Sequence, residues 1–147
     1  MADSGKLSPL TELNRIIREG RVADYQSPNL TLGMRPLSFD AGASKWEWPQ
    51  QAPSALNPFG TIHGGHLAIF IDELLSTAIG SILEADEYAV TAEMKISFMR
   101  VLRAGALEGS ARVLRRARQL AFLEAVVHPP GEQAAVMASS TWAITKV

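Results

Sequence analysis

The run Asn57-Pro-Phe-Gly-Thr-Ile-His63-Gly64-Gly65 leads into a strongly apolar helical segment that carries Asp72 about two turns in. Glycines at a helix start let another group approach the backbone closely. The N–H groups of the first turn have no partner within the helix and sit at the positive end of its dipole. Such a mouth can bind the oxygen of a carbonyl as negative charge develops on it, and a nearby carboxylate can attack the carbonyl or activate water against it. The bland alternatives are an ordinary tight turn at Gly64-Gly65, and an exposed polar edge of the helix at Asp72 and Glu73.

The neighbouring residues extend the candidate site. Asn57 offers a neutral donor and acceptor in a proline-punctuated loop, either to orient a water or to hold the loop. His63 abuts the glycines, where a histidine more often caps or orders a helix entry than shuttles a proton. Gly65, Ile69, Asp72 and Ser76 fall on one helical stripe, apart from the Leu67/Phe70/Ile71/Leu74 stripe. That small and polar stripe calls for a cover other than the chain's own sheet, and Asp72 for a donor such as Ser76 or an opposing side chain. His66 and His128 have no evident partner, and no spacing resembles a metal site. A Gly-x-Ser-x-Gly elbow and a phosphate-binding glycine loop are both absent. Arg100, Arg103, Arg112, Arg115, Arg116 and Arg118 crowd one segment with Glu108 the only acid among them. They read either as a solvated strand face or as an anion site. A nucleic-acid surface is disfavoured because no interleaved aromatics accompany them.

The elements that must position these residues can be placed by periodicity. Leu67, Phe70, Ile71, Leu74, Leu75, Ala78, Ile79 and Ile82 give a helix over 64–84 that is apolar around most of its girth and therefore buried on several sides. Ser8-Pro9 opens a shorter amphipathic helix over 8–20, followed by a linker over 21–28. Leu30–Phe39 and Ala43–Trp48 read as strands around the Asp40-Ala-Gly turn, with Trp46 and Trp48 alternating against Lys45 and Glu47. Beyond the long helix the period changes to two, giving strands at 88–101, 106–117, 119–128 and 134–146. One buried helix followed by antiparallel hairpins is an α+β pattern, most economically a sheet wrapped around the helix. Its edges and open face invite a second copy.

Composition sets the remaining bounds. At 147 residues, 47% hydrophobic and 20% charged, the chain suits one globular domain. No apolar run is long enough to span a bilayer, and the polar Met1–Lys6 stretch lacks the apolar core of a signal peptide, so a cytoplasmic location without membrane contact is the expectation. With no cysteine, thiolate chemistry and disulfides are excluded.

The constellation Asn57-x5-His63-Gly64-Gly65-x6-Asp72-x3-Ser76, with the strand Val90–Arg100 and the alternating end Ala135–Ile144, resembles the hotdog-fold acyl-CoA thioesterases, closest to their phenylacetate-degradation branch. The resemblance covers roughly residues 30–147, leaving 1–29 as an added helix and linker. It implies a hotdog fold and hydrolysis of an acyl-CoA thioester without a cofactor, coenzyme A being part of the substrate. It assigns Asp72 as nucleophile or general base and Gly64 N–H as the carbonyl-polarising group, with Asn57, His63 and Ser76 in support. Gly65 and Thr91 border the site in this comparison. Arg100, Arg103, Arg115, Arg116 and Arg118 fall where relatives hold the nucleotide and phosphates of coenzyme A, although many relatives have glycine where this chain has Ala117. It further implies a homodimer with shared active sites, paired into a homotetramer. Two other activities fit the same fold: an acyl-thioester hydratase or dehydratase, and a non-catalytic acyl-CoA sensor.

At 1.5 Å of rise per residue, Gly64 and Asp72 stand about 12 Å apart along one helix. A single thioester carbonyl cannot touch both. The motif makes sense as two halves of a site, completed by a second copy.

Overall fold

The computed structural model describes residues 8–147; the Met1–Lys6 stretch lies outside them. The first helix, α1 (Pro9–Arg18), begins where Ser8 accepts a hydrogen bond from Thr11 N–H and Pro9 fills the first turn. It docks across the far end of the second helix, α2 (Gly64–Gly80). Asn14 Nδ2 donates to the carbonyls of Glu84 (3.1 Å) and Glu87 (2.6 Å). Ile17 packs so closely on α2 that a Cβ at Gly80 would lie 2.9 Å from its Cδ1.

Among the described residues the strands form one antiparallel sheet: β1 (Arg35–Asp40), β2 (Ala43–Trp48), β3 (Glu87–Phe98), β4 (Leu107–Arg116), β5 (Leu120–His128) and β6 (Val136–Lys146), in the order β1-β2-β4-β5-β6-β3. The sheet curls around α2, giving the α+β arrangement expected from the periodicities and the hotdog fold that the resemblance implies. Inward-facing Trp46, Trp48, Phe70, Leu74, Leu107, Leu123 and Val127 bury almost completely. The contact is close at Gly109 of β4, where a Cβ would sit 2.5 Å from Leu74 Cδ1 and 3.2 Å from Phe70. The indole of Trp46 donates to Thr77 Oγ1 of α2 at 3.0 Å, so the β2 face expected to be apolar also supplies one of the helix's polar anchors.

The boundaries differ from the periodicity in instructive ways. Leu30 to Met34 is not strand: Ser27 caps a short 3₁₀ turn, Pro28 opens it, and Gly33 at φ 87° closes it, so β1 starts at Arg35. The helix expected to reach residue 84 ends at Gly80 and continues as a turn. The other strands start or stop within a few residues of expectation. Residues 21–28, expected to be a plain linker, are packed: Tyr25 is buried, edge-on to Phe39 (5.4 Å between ring centroids) and Trp46 (5.6 Å). No helix among the described residues is long and apolar enough to cross a membrane.

Candidate active site

At the mouth of α2, His63 adopts an extended backbone conformation and caps the helix, its Nδ1 accepting from Gly65 N–H at 2.9 Å. The N–H groups of His66 and Leu67 go to the His63 carbonyl at 3.0 and 3.1 Å. Among the described residues this leaves Gly64 N–H without an acceptor. Capping therefore fixes which donor the mouth presents. The Phe98 ring covers Gly64, with Cζ 3.2 Å from where a Cβ would be. Beside it lies a cavity of about 290 Å³ lined by Gly64, Thr61, Phe98, Met99 and Arg100 among others.

Asn57 holds the loop that leads here. Its Oδ1 accepts from the N–H groups of Phe59 (3.0 Å) and Thr61 (3.3 Å), and its Nδ2 donates to Thr61 Oγ1 at 2.5 Å. Within one protomer its side chain is thus committed to loop geometry.

Asp72 lies half-buried two turns along α2 and takes its hydrogen bond from Thr91 Oγ1 of β3, at 2.8 Å. A β-bulge at Ala92 breaks the β3–β6 register immediately after Thr91, a feature that re-aims side chains beside functional sites. Burial pushes the Asp72 carboxyl above its ordinary value; the Thr91 hydrogen bond opposes this and the neighbouring Glu73 charge adds to it. Ser76, expected as the donor to Asp72, instead donates to the Glu73 carbonyl at 3.0 Å, the back-bond open to a serine inside a helix. Gly65 and Asp72 fall on the side of α2 that the chain's own sheet leaves partly open, with half-buried Ala68, Ile69 and Ser76 between and beyond them.

Glu73 is the residue that the sequence pattern did not single out. Rather than lying on an exposed edge, it is 7% exposed and accepts hydrogen bonds from Tyr25 (3.0 Å), Ser27 (2.8 Å) and Asn29 (2.6 Å). Burial, reinforced by the Glu73 carboxylate, drives the Tyr25 phenol above its ordinary value and keeps it a donor. The 25–29 segment is thereby clamped to the turn of α2 that carries Asp72. The available signal was helical spacing, since Glu73 stands three residues after buried Phe70 and four before buried Thr77.

The arginines divide into two groups. Arg103 bridges to Thr61 and Arg100 lines the cavity at the α2 mouth, although Arg100 is also bound to Glu132 (3.2 Å) and the Gln133 carbonyl. Arg115, Arg116 and Arg118 lie at the other end of α2. Arg116 is engaged with Glu87 (2.6 Å) and the Ile82 carbonyl (2.8 Å), so its role within the protomer is to tie β4 to β3 and the end of α2. Arg112 pairs with Glu124. Arg115 and Arg118 have no carboxylate partner among the described residues. Trp46, Trp48 and Phe70 are core, while Phe59 and Met99 are exposed. Among the described residues no group of three or more metal-binding side chains converges.

Comparison with known proteins bears on the family and the fold. The model of the thioesterase superfamily matches residues 59–136, more than half of the chain and including the α2 mouth, Asp72 and Thr91. A conserved protein of Pseudomonas aeruginosa is 28% identical, with a TM-score of 0.75 over 82% of this chain and 95% of its own. A Ralstonia eutropha protein described as a thioesterase related to phenylacetic acid degradation is 25% identical, TM-score 0.77, over 89% and 98% of the two chains. The Escherichia coli PaaI protein, from the phenylacetic acid degradation operon, shares the fold at 20% identity, with a TM-score of 0.77 over 92% and 96%. Comparison with curated proteins found no match.

Proposed function

This chain belongs to the thioesterase superfamily, and from that premise we propose that it hydrolyses acyl-CoA thioesters at sites shared between two copies of the chain. The observation that carries the proposal is the pairing of an unspent Gly64 N–H with a half-buried, desolvated Asp72 on the open side of one helix, too far apart to act on one carbonyl within a protomer.

A second copy resolves the distance. Strand β3 is an edge strand with residues 90–93 exposed, and such an edge pairs readily with its own copy. Two α2 helices lying antiparallel, with Gly64 of one facing Asp72 of the other, cross at Ala68. The same crossing carries the far end of one α2 toward the other copy's 57–61 loop. Arg115 and Arg118 of one subunit then join Arg103 of the other around a single site. Two arginines without carboxylate partners beside a third suit the phosphates of coenzyme A, because guanidinium offers paired donors and a permanent charge. Arg116, held by Glu87, supports the site from behind.

In this site the thioester oxygen accepts from Gly64 N–H, and the helix mouth stabilises the oxyanion, a contribution of about 3 kcal/mol for one such donor. Asp72 either attacks the carbonyl carbon or takes a proton from the water that does. In the first route the C–S bond breaks to release the thiol of coenzyme A, and water cleaves the resulting anhydride. In the second, hydroxide adds directly and the same bond breaks. His63 Nδ1 is occupied by Gly65 N–H, which favours hydrolysis over a hydratase chemistry that would use the histidine as a base. The test is thiol release from acyl-CoA, with loss of enoyl absorbance followed in parallel. We expect thiol release by the native chain and its abolition in Asp72→Ala, with substrate binding retained. A near-normal kcat in that variant, or hydration of enoyl-CoA without thiol release, contradicts the proposal.

A further inference from the structure

Glu73 takes no part in the hydrolysis steps, yet it stands next to Asp72 on α2. Consecutive helical residues project about 100° apart, so the two carboxylates meet different surroundings. Asp72 turns to the open side and Thr91. Glu73 turns inward, where its Oε1 accepts from Ser27 and Asn29 and its Oε2 from Tyr25. Burying a carboxylate is costly even when it is fully bonded, and packing alone does not call for a charge at this place.

Two consequences reach Asp72. The first is mechanical. Thr77 Oγ1 donates to the Glu73 carbonyl at 2.8 Å and accepts from the Trp46 indole at 3.0 Å, while Ser44 of β2 donates to the Leu74 carbonyl at 2.6 Å. The turn after Asp72 is thus gripped by β2 on one side and by residues 25–29 on the other. Such a grip fixes the rotation of α2 about its own axis. A side chain about 6 Å from that axis moves about 1 Å for every 10° of rotation, and a misplacement on that scale can cost about a hundred-fold in rate. The second is electrostatic. Glu73 sets a negative charge beside Asp72 and disfavours its ionised form, adding to burial and opposing the Thr91 hydrogen bond. In the shared site the other copy brings His63 beside its Gly64, together with arginines that stay charged throughout. Those groups are the same in the native chain and in the variants below, so they cancel in the comparison.

We propose that Glu73 is a positioning residue for hydrolysis: held by Tyr25, Ser27 and Asn29, it fixes the rotation of α2 that aims Asp72 and places a second carboxylate charge beside it. The proposal rests on the acyl-CoA hydrolysis proposed above. All three donors precede the residues that the superfamily model matches.

The experiment measures kcat, KM and the pH–rate profile with acetyl-, hexanoyl- and phenylacetyl-CoA for the native chain, Glu73→Gln, Tyr25→Phe and Asn29→Ala, with rates expressed per folded molecule. Glu73→Gln keeps the shape and loses the charge. It should lower kcat about ten-fold with KM within about two-fold of native, and move the acid limb to lower pH by on the order of half a unit. That direction is opposite to the one expected for loss of the Thr91 hydrogen bond. Tyr25→Phe and Asn29→Ala keep the charge and weaken the grip; each should lower kcat about three-fold or more and leave the acid limb in place. A Glu73 with a structural role alone would lower Tm without moving the limb or the rate per folded molecule. An unmoved acid limb in folded Glu73→Gln, or kcat within about two-fold of native in all of the folded variants, overturns the proposal and leaves the hydrolase function standing. If Glu73→Gln does not fold, kcat of Tyr25→Phe and Asn29→Ala decides the matter. Absence of hydrolysis by the native chain with every substrate overturns the function itself.

Discussion

Replacing Glu73 with alanine should destabilise the fold by about 3 kcal/mol, a value that follows from what the carboxylate holds. Hydrogen bonds to an ionised acceptor contribute about 1.5–3 kcal/mol each, and Glu73 receives them from Tyr25, Ser27 and Asn29. The three do not simply add. Ser27 and Asn29 are only half-buried and can turn to water, whereas the Tyr25 hydroxyl would be stranded in the interior. Removing a buried charge also returns part of its desolvation cost. For a chain of this size the result is a fall in Tm of roughly 6–12 °C. Chemical denaturation gives the free energy, and amide exchange across residues 19–30 shows whether the clamped segment opens first. Tyr25→Phe keeps the ring against Phe39 and Trp46 and should lose about 1.5 kcal/mol, the low end of that range. Because the Tyr25 phenol is raised in the fold, its contribution is present below the ordinary phenol value of 10.0 and is lost as pH rises above it; Tyr25→Phe should flatten that alkaline loss. Stability of Glu73→Ala within about 0.5 kcal/mol of the native chain would refute the clamp.

Further outcomes follow from single contacts. The acid limb of the pH–rate profile should lie above the ordinary aspartate value of 3.8, since burial raises Asp72; Thr91→Val, which removes the hydrogen bond favouring the ionised form, should move it to higher pH, and an unmoved limb would separate Asp72 from the rate. Gly109→Ala should destabilise by about 1–3 kcal/mol in urea unfolding, because the new methyl group meets Leu74. His63→Ala should cost about 1 kcal/mol as a lost cap and lower kcat as the α2 mouth loosens; full activity at reduced stability would confine the histidine to a structural role.

Much of this was legible in the sequence where one period ran uninterrupted. The α2 pattern and the alternation of Trp46 and Trp48 gave helix, strand and burial together, and the glycine pair placed the helix mouth. Residues 30–34 misled because Leu30 and Leu32 imitate strand alternation, while the Ser27-Pro28 start and Gly33 stop belong to a turn. The donor to Asp72 could not be read locally: Thr91 reaches it from another element, on the open side of α2, and Ser76, nearer in sequence, turns to a backbone carbonyl. Arg116 looked like its neighbours, but its partner Glu87 lies in a different strand. Helical spacing hinted that Glu73 faces inward, yet nothing local indicated that residues 25–29 supply its three donors.

The shared site is tested most directly by mixing two inactive chains. Gly64→Pro removes the N–H at a helix position that tolerates proline, and the extended His63 backbone already suits the residue before one. Asp72→Ala removes the acid. Each variant alone should be inactive toward acyl-CoA. Unfolded and refolded together, half of the dimers pair one chain of each kind and regenerate one intact site, restoring about a quarter of the native activity per chain. Verified mixed dimers with no recovered activity would contradict a site built from the glycines of one copy and the aspartate of the other.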